Sequence, residues 1–308
     1  MKHNWGRCIF VFAAILLQLC YPAICLETAS SETVPKGIAN LRFFQQAYPD
    51  ISFQRSYDST VGDWLITLVI PEKNNKKRIV SFYWADGALL PKSELKNKAY
   101  YDSILYKYPL ILEDPAEFSE EKKALVKQLN SEENLKHESG TAMFFFDAVY
   151  DASSRSSLEQ HLVKVTFLGK RATVHERIQA PLERVEKRIL SLSKYNKKMK
   201  EFVDELKSSD AYYWRIIAGT SRKSFHSLGI ALDILPVSTH GKQIYWGWAK
   251  DKYPDSWMLV PLEKRWIPPA QIIKIFEEEG FVWGGKWHIY DNMHFEYRPE
   301  LILFRDGM

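Results

Sequence analysis

Beyond residue 25 the chain has no cysteine; Cys8, Cys20 and Cys25 are its full complement. With the first 25 residues removed there can be no disulfide framework, no thiolate nucleophile and no cysteine ligand to a metal. Stability then has to come from packing. The 308 residues are 46% hydrophobic and include 10 Trp, 16 Tyr and 17 Phe, enough for a sizeable core. A membrane-length apolar run is lacking too, since the unbroken stretch Cys8–Leu17 falls short of the roughly 18 residues a span needs and nothing later is long enough. Lys2 and Arg7 precede that stretch and small residues follow near Ala23, the layout of a secretory signal over residues 1–25. The expectation is an exported protein, periplasmic or in the cell envelope, with no transmembrane helix in the mature chain. Leu19 and Ile24 stand where a lipoprotein box prefers a small residue, so a lipid anchor at Cys20 or Cys25 is the less favoured alternative.

Charge of one sign is scarce as well. The formal net charge is +4, about +2 without Lys2 and Arg7, which does not indicate a dedicated nucleic-acid binder. The basic clusters at 73–77 and 194–200 read as a hairpin turn and a solvated helix face. No internal repeat or low-complexity tract occurs. Two competing protease signatures are incomplete: "HERIQ" at 175 and "HESGT" at 137 lack the second histidine of a helix-borne zinc site. S-x-x-K at Ser93, Ser119 and Ser191 has no S-D-N or K-T-G to accompany it, so a penicillin-binding serine peptidase has no support.

What is present divides near residue 178. Residues 63–70 and 77–84 are β-branched and aromatic runs around a polar turn and predict a hairpin; 141–150 and 161–178 predict further strands, with a turn at Gly169 and Lys170. Ser119 predicts the cap of a helix to Leu129. Apolar residues at three- and four-residue spacing predict one helix from Pro181 to Lys207, and Pro269–Glu279, closed by Gly280, predicts another. The division is a leader over 1–25, an N-terminal α/β region of unknown role over 26–178, and a catalytic domain over 179–308.

The chemistry-bearing residues lie in that last part. In "GIALDIL", strand alternation sends Ile230, Leu232 and Ile234 into a core and Ala231 and Asp233 to the other face, while Gly229 permits a turn that brings His226 back toward Asp233. A lone carboxylate on an apolar strand needs a partner, and a metal ion serves. "DNMHFEY" alternates in the same way and presents His294. Two imidazoles and one carboxylate suit zinc with a fourth position open for water, the mark of a catalytic site. Asp291, three residues before His294, is placed to take a proton from that water. His288 reads as a rim position, and His137, His161, His175 and His240 as structural.

The pattern S-x-H-x-x-G-x-A-x-D, carried by Ser224, His226, Gly229, Ala231 and Asp233 and followed by an acid-x-x-His pair, resembles the zinc peptidases of bacterial cell-wall peptides. That group holds VanY-type D-alanyl-D-alanine carboxypeptidases, VanX-type dipeptidases and phage L-alanyl-D-glutamate endolysins. The likeness spans about residues 212–298. It implies a Hedgehog/DD-peptidase-like α+β fold, a small antiparallel sheet with flanking helices. It also implies one zinc ion per chain held by His226, Asp233 and His294, with Asp291 as general base and Arg215 holding the substrate carbonyl or carboxylate. Many relatives carry Glu where this chain has Asp291. Ser224 is read as orienting substrate or ligand by a hydrogen bond. The implied partners are peptidoglycan stem peptides, cut as a D-alanyl-D-alanine carboxypeptidase or alternatively as an L-alanyl-D-glutamate endopeptidase. A non-catalytic, zinc-containing cell-wall-binding module is the reading from a different class. Oligomeric state is not legible.

Overall fold

A short helix, Leu41–Ala47, and then three strands open the fold of the computed structural model, which describes residues 37–131, 140–216 and 223–307; the expected leader and His137 lie outside them. β1 (Ser52–Asp58), β2 (Asp63–Pro71) and β3 (Lys77–Tyr83) form an antiparallel sheet in chain order. β2 buries Ile66, Leu68 and Ile70 while the residues between them stay half-exposed, the period-two pattern of a sheet covered on one side. The basic cluster at 73–77 makes the turn, with Asn74 and Asn75 at positive φ, a conformation asparagine tolerates. Helix Glu120–Leu129 starts where expected, Ser119 Oγ accepting from the Lys122 amide at 3.2 Å. Two residues each of β4 (Tyr101–Asp102) and β5 (Gly140–Thr141) pair in parallel.

The strand expected over 141–150 is instead mostly helix, Phe144–Val149. Aromatic residues favour strands only where a pleated surface receives them. Here Phe145, Phe146 and Val149 enter the core together: Phe145 meets Phe44 edge-on with centroids 5.1 Å apart, and Phe146 meets Phe225 at 5.0 Å. Tertiary packing overrides local preference at this point.

β6 (Leu162–Phe167) and β7 (Lys170–His175) form the expected hairpin. Its turn is Leu168–Gly169, both at positive φ as a tight two-residue connection requires. The single helix expected over 181–207 is two helices and a strand. Helix Glu176–Ser193 begins earlier, with His175 as its cap, and buries Ile178, Leu182, Val185 and Ile189. The chain then breaks, and the Asn196 side chain caps a second helix, Lys197–Asp204, by accepting from the Met199 amide at 3.3 Å. Leu206, counted by its spacing into the helix, begins strand β8 (Leu206–Asp210).

A four-stranded antiparallel sheet carries the candidate site, in the order β10 (Phe281–Trp283), β11 (His294–Tyr297), β9 (Ala231–Pro236), β8. Its rear face rests on helix Ala270–Glu278, where Phe276 stacks on Phe295 with centroids 4.0 Å apart. Gly280, at φ 90°, follows that helix as expected. The core runs across residue 178, since Phe44, Phe145, Phe276 and Phe295 belong to the same buried cluster. Mixed helices and small antiparallel sheets make this an α+β fold. Among the described residues no helix is long and apolar enough to cross a membrane.

Candidate metal centre

Pairing register brings the carboxylate and the second imidazole together. Asp233 on β9 lies directly opposite His294 on β11, and Ala231 lies opposite Glu296. Leu232 and Ile234 are fully buried on the other face, which fixes which way Asp233 points. His226 arrives from a single 3-10 turn, Phe225–Leu228. Ser224 starts that turn, its Oγ accepting from the His226 amide at 3.3 Å. Gly229 ends it at φ 67°, and a Cβ there would stand 2.9 Å from the backbone nitrogen of His175. Glycine is needed both for the conformation and for the close approach.

The three side chains converge. His226 Nε2 lies 3.2 Å from His294 Nδ1 and 3.2 Å from Asp233 Oδ1, and His294 Nδ1 lies 3.0 Å from Asp233 Oδ1. The outer ring nitrogens fix what the inner ones offer. His226 Nδ1–H donates to the Ala211 carbonyl at 2.6 Å, and His294 Nε2–H donates to Glu296 Oε2 at 3.2 Å. In neutral rings so engaged, both inner nitrogens carry lone pairs. Two lone pairs and a carboxylate oxygen pointed at one spot repel unless a positive charge sits among them, so the donor set fits a divalent cation. Each outer contact is the buried partner that metal-bound imidazoles ordinarily have.

Proton affinities point the same way. Burial works against a charge on His294, but the hydrogen bonds and charges of Asp233 and Glu296 outweigh it and raise the ring to about 10. Burial likewise opposes the Asp233 carboxylate, yet with a proton on the inner ring nitrogens in place of a cation the two imidazoles hydrogen-bond to it and hold it well below the usual range. The site favours positive charge at its centre.

Asp291 differs from both. Burial pushes it up to about 7; the His294 charge works against that rise and the Asp233 charge adds to it. Its Oδ1 is buried and has no hydrogen-bond partner among the described residues. An unpartnered carboxylate oxygen near neutrality is available to take a proton. Arg215 lines the same cleft as His226 and Asp233, and its charge is felt at Asp291. Its backbone is clamped: the amide donates to Ser227 Oγ at 2.8 Å, and the Ser227 hydroxyl donates back to its carbonyl at 2.6 Å. Ser224, by contrast, is buried and occupied in holding the His226 turn.

Glu296 and Ser227 were not among the residues singled out from sequence. Glu296 was within reach, because residues two apart on a strand share a face and Glu296 follows His294 by two. His288 is exposed, and His161 and His175 stack on each other with centroids 5.5 Å apart, away from this cluster.

Against known families, residues 218–297 match one described as D-alanyl-D-alanine carboxypeptidase, and residues 40–106 match one described as a domain of unknown function. No curated protein and no solved structure matches the chain. The first match contains His226, Asp233, Asp291 and His294 and places this part of the chain with the peptidases, a class of hydrolases. Arg215 and the β6–β7 hairpin lie before it.

Proposed function

We propose that the protein is an exported zinc metallopeptidase that hydrolyses peptidoglycan stem peptides, removing the terminal alanine as a D-alanyl-D-alanine carboxypeptidase. The observation that carries this reading is the convergence of His226 Nε2, His294 Nδ1 and Asp233 Oδ1 on one point, each imidazole oriented by a buried acceptor behind it. The match of residues 218–297 to a D-alanyl-D-alanine carboxypeptidase family supports the choice of substrate.

His226, Asp233 and His294 would hold the zinc ion. When bound it supplies Lewis acidity, polarising a carbonyl and making water a better acid. The rest falls to the chain. Asp291 takes the proton of the attacking water on its free Oδ1 and returns it to the leaving amine, a role worth roughly a hundred- to ten-thousandfold in rate. Arg215, at the edge of the cleft, binds the substrate carboxylate or steadies the oxyanion with a fixed positive charge. Ser224 and Ser227 hold the His226 turn and the Arg215 backbone. We assign the leader to residues 1–25, the catalytic domain to 179–308, and a supporting role to 26–178. Nucleic acid has no part in this reading.

Incubating the zinc-loaded chain with a synthetic stem pentapeptide and weighing the products tests it. Loss of one alanine is the expected result. A cut between L-alanine and D-glutamate would replace it with the endopeptidase activity, and an intact peptide would leave only a binding module.

A further inference from the structure

The cleft that reaches His226 and Asp233 has a volume of about 720 Å³, and one of its walls comes from outside the segment matched to the carboxypeptidase family. That wall is the β6–β7 hairpin. Its strands alternate: Phe167, Ala172 and Val174 turn into the core, whereas Lys164, Thr166, Arg171 and Thr173 share the opposite face. Register pairs Lys164 with Thr173 and Thr166 with Arg171. The two residues are therefore diagonal neighbours on one face, their Cα atoms about 7–8 Å apart in such a ladder, within reach of each other for long side chains. Neither has an ion-pair partner among the described residues. Arg215 adds a third cation to the lining, against Asp210 as the one carboxylate not engaged with the imidazoles, and Asp210 already accepts from Ser208.

The hairpin is tied to the site. The Tyr212 amide donates to the Thr173 carbonyl at 2.9 Å, and the His175 amide donates to the Gly229 carbonyl at 2.8 Å, beside the turn that carries His226. Two cations on neighbouring positions of one face repel each other, and a carboxylate between them could contact both at once.

We propose that this face of the hairpin reads an anionic group on the peptide substrate, with Lys164 and Arg171 gripping a carboxylate that is not part of the scissile bond. The inference rests on the peptidase reading and narrows it: the preferred substrates are acidic peptides. In a stem peptide the fitting group is the free α-carboxylate of the γ-linked D-glutamyl residue.

Two synthetic peptides test this, L-Ala-γ-D-Glu-L-Lys-D-Ala-D-Ala with the glutamyl α-carboxyl free, and the same peptide amidated there. The zinc-loaded full chain is expected to show a KM about tenfold lower for the free form, the effect of two solvent-exposed ion pairs acting together. Lys164→Gln/Arg171→Gln brings the ratio of the two KM values close to one, and Lys164→Glu/Arg171→Glu inverts it, which a merely structural role would not do. Equal KM values in the wild type, or a preference that survives in the glutamine variant, overturns the inference. If the wild type cleaves neither peptide the peptidase reading fails, and calorimetric binding of the same two peptides decides about the wall: a preference for the free form that the glutamine variant loses supports it, and equal binding overturns it.

Discussion

Glu296 Oε2 accepts the outer Nε2–H of His294 at 3.2 Å, while its other oxygen, Oε1, accepts from Arg298 Nη1 at 3.2 Å. One buried carboxylate thus links the candidate metal centre to a buried guanidinium. Replacing Glu296 with Gln removes the charge that raises the basicity of His294 and loosens the ring. Partners of this kind are worth about ten- to a hundredfold in metal affinity. Zinc competition against a chromophoric chelator should show that loss, and an unchanged affinity would mean that the Glu296 contact does not tune the ligand.

Asp291 and the three proposed ligands should separate by assay. Asp291→Ala is expected to keep one zinc per chain while hydrolysis falls by about a hundred- to ten-thousandfold. His294→Ala is expected to lose both. Elemental analysis beside product mass spectrometry reads the two quantities on one sample. Full activity in Asp291→Ala would remove the proton-transfer role.

His175 makes stability depend on pH in a definite direction. Its Nδ1 accepts from the Arg177 amide at 3.1 Å at the start of a helix, and its Nε2–H donates to the Tyr150 carbonyl at 3.1 Å, so the ring is bound in its neutral form. Burial, with the nearby His161 charge, lowers its affinity for a proton from the ordinary 6.5 to about 3. Between those two values the unfolded chain binds the proton and the native chain does not. Stability therefore falls as pH drops through that window, by up to about 1.4 kcal/mol per unit, and is unaffected by this group above it. Urea unfolding at pH 7.5 and pH 5 should show the wild type losing more than His175→Asn, whose side chain can still cap the helix.

Gly229 sits between His226 and Asp233 in the chain and against a further element in space. A Cβ there meets the His175 backbone nitrogen and Leu162 Cδ2, each at 2.9 Å, and φ is 67°. Gly229→Ala combines overpacking with left-handed backbone strain, a cost of about 2 kcal/mol or more. A lower denaturation midpoint together with weaker zinc binding is the expected result, because the strained turn is the one that carries His226.

The convergence of His226, Asp233 and His294 was legible because these residues sit in locally regular segments. Alternation in "GIALDIL" and "MHFEY" puts Asp233 and His294 on definite faces, and a glycine after the His226 turn marks a left-handed residue. The pairing of β9 with β11 is non-local, but one polar face and one apolar face on each strand leave few registers. The failures have physical causes. Phe144–Val149 forms a helix because its aromatic residues find partners from four distant segments, which no window of sequence contains. The break before Asn196 turns on one side-chain cap, weak against nine apolar residues in helical spacing. β1 went unread because both its faces are largely exposed and the alternation carries little signal. The hairpin register was readable, but not its position over the cleft, which depends on a backbone contact with Gly229.

The buried charges behind the site yield a last prediction. Arg298 is 1% exposed and donates to Glu296, to Glu300 and, at 2.9 Å, to the carbonyl of Ile104; Glu300 also accepts from Tyr48 at 3.0 Å. Tyr48 and Ile104 belong to the N-terminal region, so that region completes a charge network that ends on the His294 ring. Arg298→Met would keep the volume and leave two buried carboxylates without their counter-charge, a loss of about 3–5 kcal/mol. Adding Glu300→Gln to Arg298→Met removes one of those unpaired charges, and the double variant should recover part of the stability. If the two substitutions were simply additive in a denaturation cycle, the guanidinium and Glu300 would not be coupled, and the N-terminal region would support the metal centre by packing alone.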